Sequence, residues 1–169
     1  MILKTVKYPE PVLEQPGEPV TEFDAELRKL VADMFETTYA SQGIGLAAPQ
    51  VGVSKRLTVI DLSMGKDPAQ KLVLINPEII VRDGKQYEEE GCLSFPDIRE
   101  KVVRAAKVRI RAQDENGKWF ELDGDELLAR CFQHEIDHLD GVLFIFRMSA
   151  LKRSLNLRKI RKMQSDGTW

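Results

Sequence analysis

The sequence His134-Glu135-Ile136-Asp137-His138 contains the only two histidines of a 169-residue chain. On a helix, positions i and i+4 share a face one turn apart, so both imidazoles can reach one ion. Glu135, beside the first histidine, is placed to take a proton from a metal-activated water rather than to ligate. Two solvated surface histidines would give the same spacing. The apolar neighbours Leu127, Leu128, Cys131, Phe132 and Leu139 argue for a helix packed into the molecule, and so for a metal site.

A catalytic metal of this kind needs a third protein ligand and an open position. Many HExxH enzymes take that ligand downstream, but Phe144 stands where a third histidine would fall and no glutamate follows Glu135. Asp140 faces away by helical phase, and Asp166 lies in the C-terminal tail. Two thiols remain upstream. Cys131 is seven residues before His138, about 10 Å along a helix axis, too far for a short side chain to share the ion. It reads as a small buried hydrophobe. Cys92, in Glu90-Gly-Cys-Leu-Ser94, is free to approach from another segment and is the expected ligand.

These groups need elements to hold them. Residues 124–139 are expected to form the metal-binding helix, capped by Asp123 and ended by Gly141. An amphipathic helix over 23–40 places Leu27, Leu30, Val31, Met34 and Thr38 on one face, with Thr21 and Asp24 at its start. Apolar runs at 57–62, 72–75 and 79–81 read as strands punctuated by Pro77 and Asp83-Gly84. Alternation at Val108, Ile110 and Ala112, then Asn116-Gly117, predicts a hairpin into 119–122. A last helix fills about 149–163. No βαβ alternation occurs, so the fold class is α+β: mostly antiparallel strands around a central HExxH helix, with N- and C-terminal helices. One catalytic domain, 1–169, is expected.

Composition is ordinary, 43% hydrophobic and 31% charged with formal net charge −2, which argues against wholesale binding of nucleic acid or membrane. No apolar run approaches the ~20 residues of a membrane span, and no leader pattern opens the chain, so the expected compartment is the cytoplasm. Gly43-x-Gly45-x-x-Ala48 formally fits a dinucleotide fingerprint, but Pro49 interrupts the helix that the motif requires.

With Cys92 beside the HEIDH run, the sequence resembles the peptide deformylases, which remove formyl from the N-terminal methionine of new bacterial proteins. Three motifs carry the resemblance in the family's order: Gly43-Ile-Gly-Leu-Ala-Ala-Pro-Gln50, Glu90-Gly-Cys-Leu-Ser94 and Gln133-His-Glu-Ile-Asp-His138. It implies that Cys92, His134 and His138 ligate the metal and that Glu135 is the catalytic carboxylate. It implies that the Gln50 amide and the Leu93 backbone N–H stabilise the oxyanion. It further implies substrate contacts from Gly43, Ile44 and Gly45 by strand-like hydrogen bonds and from Arg99 to substrate backbone. Ile44, Leu127 and Cys131 are implied to line the methionine pocket, and Glu90 and Arg104 to form an ion pair. Two pocket positions depart from the family's apolar pattern, Glu88 and Arg130; they either pair across the rim or face solvent. The implied metal is Fe²⁺, with Zn²⁺, Ni²⁺ or Co²⁺ also suited to a Cys/His₂ site.

Two other readings are kept beside this one. An HExxH metallopeptidase, or an amidase on another small N-acyl substrate, would be revealed by cleavage of unformylated internal bonds. A silent binding module would lack activity on a formyl-Met dipeptide. The implied partners are nascent formyl-methionyl peptides and the ribosome. Seven basic and no acidic residues lie between Arg147 and Lys162, with Met148, Leu151 and Leu155 as the expected apolar side. Deleting the chain after Ser149 is expected to remove ribosome binding and spare the chemistry.

Overall fold

A computed structural model describes residues 1–169. Helix α1 (Ala25–Ala40) begins at Asp24, whose carboxylate accepts from the Leu27 N–H at 3.0 Å. This single cap serves the start, and Thr21 lies outside it. Leu27, Val31, Met34 and Phe35 pack against Leu46, Leu57 and Val59 on the first two strands, β1 (Gly45–Ala47) and β2 (Leu57–Ile60).

These strands belong to a five-stranded antiparallel sheet with β3 (Leu72–Asp83), β6 (Lys107–Gln113) and β7 (Trp119–Asp125), in the order β1-β2-β3-β6-β7. Strand β3 corrects the expectation of two short strands, because it runs straight through Pro77. The register with β6 shifts between Ile75 and Glu78, and pairing with β2 ends at Ile75, so Pro77 sits where no ladder bond needs its missing N–H. The expected turn at Asn116-Gly117 is present, with Gly117 at φ 81°, but β7 runs three residues further than expected.

Between β3 and β6 the chain forms a separate two-stranded hairpin, β4 (Gln86–Cys92) and β5 (Phe95–Arg104), turning at Leu93-Ser94. Neither strand was legible in the apolar pattern, because three consecutive glutamates occupy the middle of β4.

Helix α2 (Glu126–Leu139) starts later than expected: β7 occupies residues up to Asp125, so Asp123 is a strand residue and not a cap. Its turns are buried on nearly every side, with Ala129, Phe132 and Ile136 packed among Ile60, Leu74, Val108 and Ile110 of the sheet. Helix α3 (Ala150–Asp166), capped by the Ser149 hydroxyl, docks with Leu157, Ile160 and Met163 against Leu13, Phe95 and Phe144. The expected apolar side is therefore corrected in part: Met148 is buried in the core, but Leu151 and Leu155 are not. Leu151 and Leu155 are 69% and 53% exposed, whereas Ile160 is 1% exposed. The architecture is α+β, with α2 central, as expected.

Candidate active site

The site forms where the end of β4 meets the face of α2. His134 and His138 lie one turn apart with ring centroids 4.9 Å apart, and the Cys92 Sγ sits 3.3 Å from His138 Nε2. One ligand atom from each of Cys92, His134 and His138 falls within 4.8 Å of the others. Cys131 stands apart from this group. It is 7% exposed, and burial pushes its thiol up to about 12, which suits an apolar filler rather than a thiolate ligand.

Glu90 fixes the first histidine. Its Oε1 accepts from His134 Nδ1 at 2.7 Å, which leaves Nε2 facing Cys92. Arg104 grips the same carboxylate with Nε and Nη2 at 2.8 and 3.0 Å, and together these bonds outweigh burial and hold Glu90 ionised far below the usual carboxylate range. Burial disfavours a charged His134, yet contacts with Cys92 and Glu90 outweigh it and raise its pKa well above the ordinary value. Burial, with the neighbouring His134, holds His138 neutral. A cysteine sulfur and two imidazoles there fit a divalent metal of intermediate softness.

Glu135 lies beside the ligand group but turns its carboxyl toward β1 and β2, with Oε2 3.3 Å from the Thr58 hydroxyl. Burial raises its pKa to about 7, a range suited to proton transfer. Gly45 makes room for it: a Cβ there would meet Glu135 Oε1 at 3.1 Å. Gln50 is 2% exposed, anchored by its Oε1 to the Ala47 N–H at 3.0 Å, and its Nε2 lies 3.5 Å from Cys92 Sγ. The Leu93 N–H donates to no group within the protein.

A cleft of about 800 Å³ opens onto these groups. Gly43, Ile44 and Gly45 form one wall, along the outer edge of β1, which pairs only with β2. Leu93 and Arg99 come from the hairpin, and Leu127, Arg130 and Cys131 from α2. Arg99 is exposed and bonded to Glu89. Glu88 and Arg130 do not pair with each other, and of the two only Glu88 faces solvent as expected. Glu88 is exposed on β4, while Arg130 is 3% exposed and paired with Glu90. Thr58, Asp137 and Ser94, which accepts from Gln50 Nε2 at 3.3 Å, were missed as parts of the site. Asp137 lay in plain view inside the HEIDH run. Ser94 stood at the end of the Glu90–Ser94 motif without a role assigned to it, and Thr58 had no local signal, because only the fold brings it near. A second, shallower depression of about 450 Å³ at β3, β6 and β7 holds Arg109 and Asp123, paired with each other.

A cysteine sulfur and two imidazoles converging beside a buried carboxyl, with the Gln50 amide and the unpaired Leu93 N–H close by, are the furniture of a metal-dependent hydrolase. The family model described as polypeptide deformylase matches residues 2–154. A peptide deformylase of Acidobacterium capsulatum is 73% identical over 169 residues, covering 100% of this chain and 99% of that one. One from Chromobacterium violaceum is 48% identical, covering 98% of both. The crystal structure of a peptide deformylase from Legionella pneumophila superposes with a TM-score of 0.91 at 47% identity, covering 98% of this chain and 96% of that one. The chain belongs to the polypeptide deformylase family. It is a metal-dependent hydrolase that removes the N-formyl group of nascent polypeptides. The peptidase and silent-module readings fall with that assignment.

Proposed function

We propose that the whole chain, 1–169, acts as one catalytic domain in which Cys92, His134 and His138 hold the metal and Glu135 moves the proton. The convergence of the three ligand atoms within 4.8 Å is the observation that carries this reading. A divalent ion there would lower the pKa of water toward neutrality and polarise the formyl carbonyl. Glu135 then takes a proton at its carboxylate and returns it to the departing amine nitrogen, whose protonation lets formate leave. The Gln50 Nε2 and Leu93 N–H meet the negative charge that develops on the formyl oxygen, at little reorganisation cost because Gln50 is already clamped.

The peptide is read as an added strand on the free edge of β1, at Gly43, Ile44 and Gly45. Ile44, Leu127 and Cys131 take the methionine side chain, and Arg99 the backbone beyond it. Arg130 adds no free cation to this pocket, since Glu90 neutralises it. We assign Fe²⁺ as the working metal on the resemblance and the thiolate ligand, and the cytoplasm as the compartment. No helix is long and apolar enough to cross a membrane.

Ribosome association is proposed through the outer face of α3, where Leu151 and Leu155 lie exposed beside Arg158 and Lys162. Deleting the chain after Ser149 would remove Ile160 and Trp169, whose indole donates to the Tyr8 carbonyl at 2.7 Å, and uncover Leu13, Phe95 and Phe144, so truncation is the wrong test. Replacing Arg158, Arg161 and Lys162 by Gln should weaken ribosome co-sedimentation, most clearly as salt is lowered, with unchanged activity on a short formyl-Met peptide. Undiminished co-sedimentation would overturn this part. For the ligands, Cys92→Ala should lose metal and formate release, whereas Cys131→Ala keeps the metal. A fully loaded Cys92→Ala protein would overturn the ligand assignment.

A further inference from the structure

The proposed ligands come from two bodies that share no backbone ladder. Cys92 ends the β4–β5 hairpin, which pairs with neither edge of the five-stranded sheet, and both histidines lie on α2. Their separation is therefore set by side chains that cross the junction. Glu90 reaches His134, and Arg104 Nη1 reaches Asp137 at 2.6 Å. Arg130, one helical turn before His134, crosses it in the other direction. Its Nε donates to Gln86 Oε1 at 3.1 Å, its Nη1 to Glu90, and its Nη2 to the Val102 carbonyl at 2.9 Å. It is the only side chain of α2 that donates to both strands of the hairpin.

Charge supports the same reading. The nearly buried Arg104 and Arg130 face Glu90 and Asp137, and the half-exposed Arg147 adds a third guanidinium on Asp137. Glu90 therefore has a second guanidinium and can hold His134 while Arg104 is shared with Asp137. The planar fork of an arginine reaches three acceptors at once; a lysine ammonium on a flexible stem does not reproduce that geometry. Nothing in this arrangement needs Arg130 to touch substrate, although its side chain forms part of the cleft wall.

We infer that Arg130 is a positioning residue for the metal centre: it staples the Cys92 hairpin to the His134/His138 helix and so fixes the ligand spacing. The inference rests on the ligand assignment above, and its test separates the two. Co²⁺ is loaded anaerobically into wild type, Arg130→Met, Arg130→Lys, Gln86→Met and Cys92→Ala. Competition with a chelator gives the affinity, visible absorption reports the thiolate and the coordination geometry, and circular dichroism checks the fold. Arg130→Met should bind Co²⁺ roughly 10-fold or more weakly with a shifted spectrum, as loss of an outer support typically does. Arg130→Lys should recover part of this, and Gln86→Met should show a smaller loss in the same direction. A folded Arg130→Met protein with wild-type affinity and spectrum would overturn the inference. If neither Arg130 variant folds, Gln86→Met decides, and its unchanged affinity and spectrum would overturn it equally. Retention of Co²⁺ by Cys92→Ala would instead sink the ligand assignment. Loss in Cys92→Ala with no change in the others removes the Arg130 inference alone.

Discussion

Asp61 and Glu90 are both buried carboxylates, and both are held ionised, yet the protein surrounds them differently. Asp61, fully buried at the end of β2, accepts from the Ser63 N–H and hydroxyl at 2.9 and 2.6 Å and the Gly65 N–H at 3.1 Å. Only Tyr39, at 2.6 Å, comes from elsewhere. Burial pushes the Asp61 carboxyl up, and these donors more than reverse it. Glu90 instead draws its donors from Arg104, Arg130 and His134, which lie 14, 40 and 44 residues away. One carboxylate closes a loop on itself. The other joins a hairpin to a helix, and the proposed metal ligands sit on the two sides of that joint. A local anion should therefore contribute stability alone, and a bridging anion should contribute stability and site geometry together.

Glu90→Gln should give the largest effect. It leaves two buried guanidinium groups short of counter-charge, a change that costs about 3–5 kcal/mol in comparable buried pairs. Urea unfolding should record that loss, and metal content should fall with it. Normal metal content in a folded Glu90→Gln protein would break the distinction between the two carboxylates.

Asp61→Asn should cost less, about 1–3 kcal/mol for weakened buried hydrogen bonds, with full metal content. The pH dependence has a definite sign. A carboxyl whose folded pKa is depressed contributes fully above its unfolded pKa, and that contribution is lost as pH falls through the folded value. The gap between wild type and Asp61→Asn should thus be widest near neutrality and shrink in acid. A gap that widened on acidification would contradict the depressed pKa.

At the small end lies Arg109, an exposed arginine bonded to Asp123 and Glu121 on β6 and β7. Solvent screens such pairs, so Arg109→Gln should leave the urea midpoint and the metal content unchanged within error. A large shift there would mean that surface charge, and not the buried junction, dominates.

The convergence of Cys92, His134 and His138 was legible because helical phase and the poverty of histidines and thiols left few choices. Helix α1 was legible because its apolar stripe repeats at the helical period. The β4–β5 hairpin was not, since β4 carries glutamates that bond His134 and Arg99, and the apolar residues of β5, Phe95, Ile98 and Val102, are too widely spaced to show the alternation of a strand. Arg130 was misread for a related reason. A charged residue on a buried helix is expected to reach solvent or a rim partner, and only the packed structure brings Glu90, Gln86 and the Val102 carbonyl to it. The C-terminal helix was located correctly and turned the wrong way, because its buried side depends on where Leu13 and Phe95 lie.

The central claim is a division of labour, with Cys92, His134 and His138 holding metal and Glu135 moving the proton without holding it. Glu135→Gln tests that most directly, with metal content and formate release from a formyl-Met peptide measured on the same anaerobic sample. The expected result is one metal per chain, as in wild type, with kcat reduced by at least ~10². Wild-type turnover, or loss of the metal along with the activity, would contradict it.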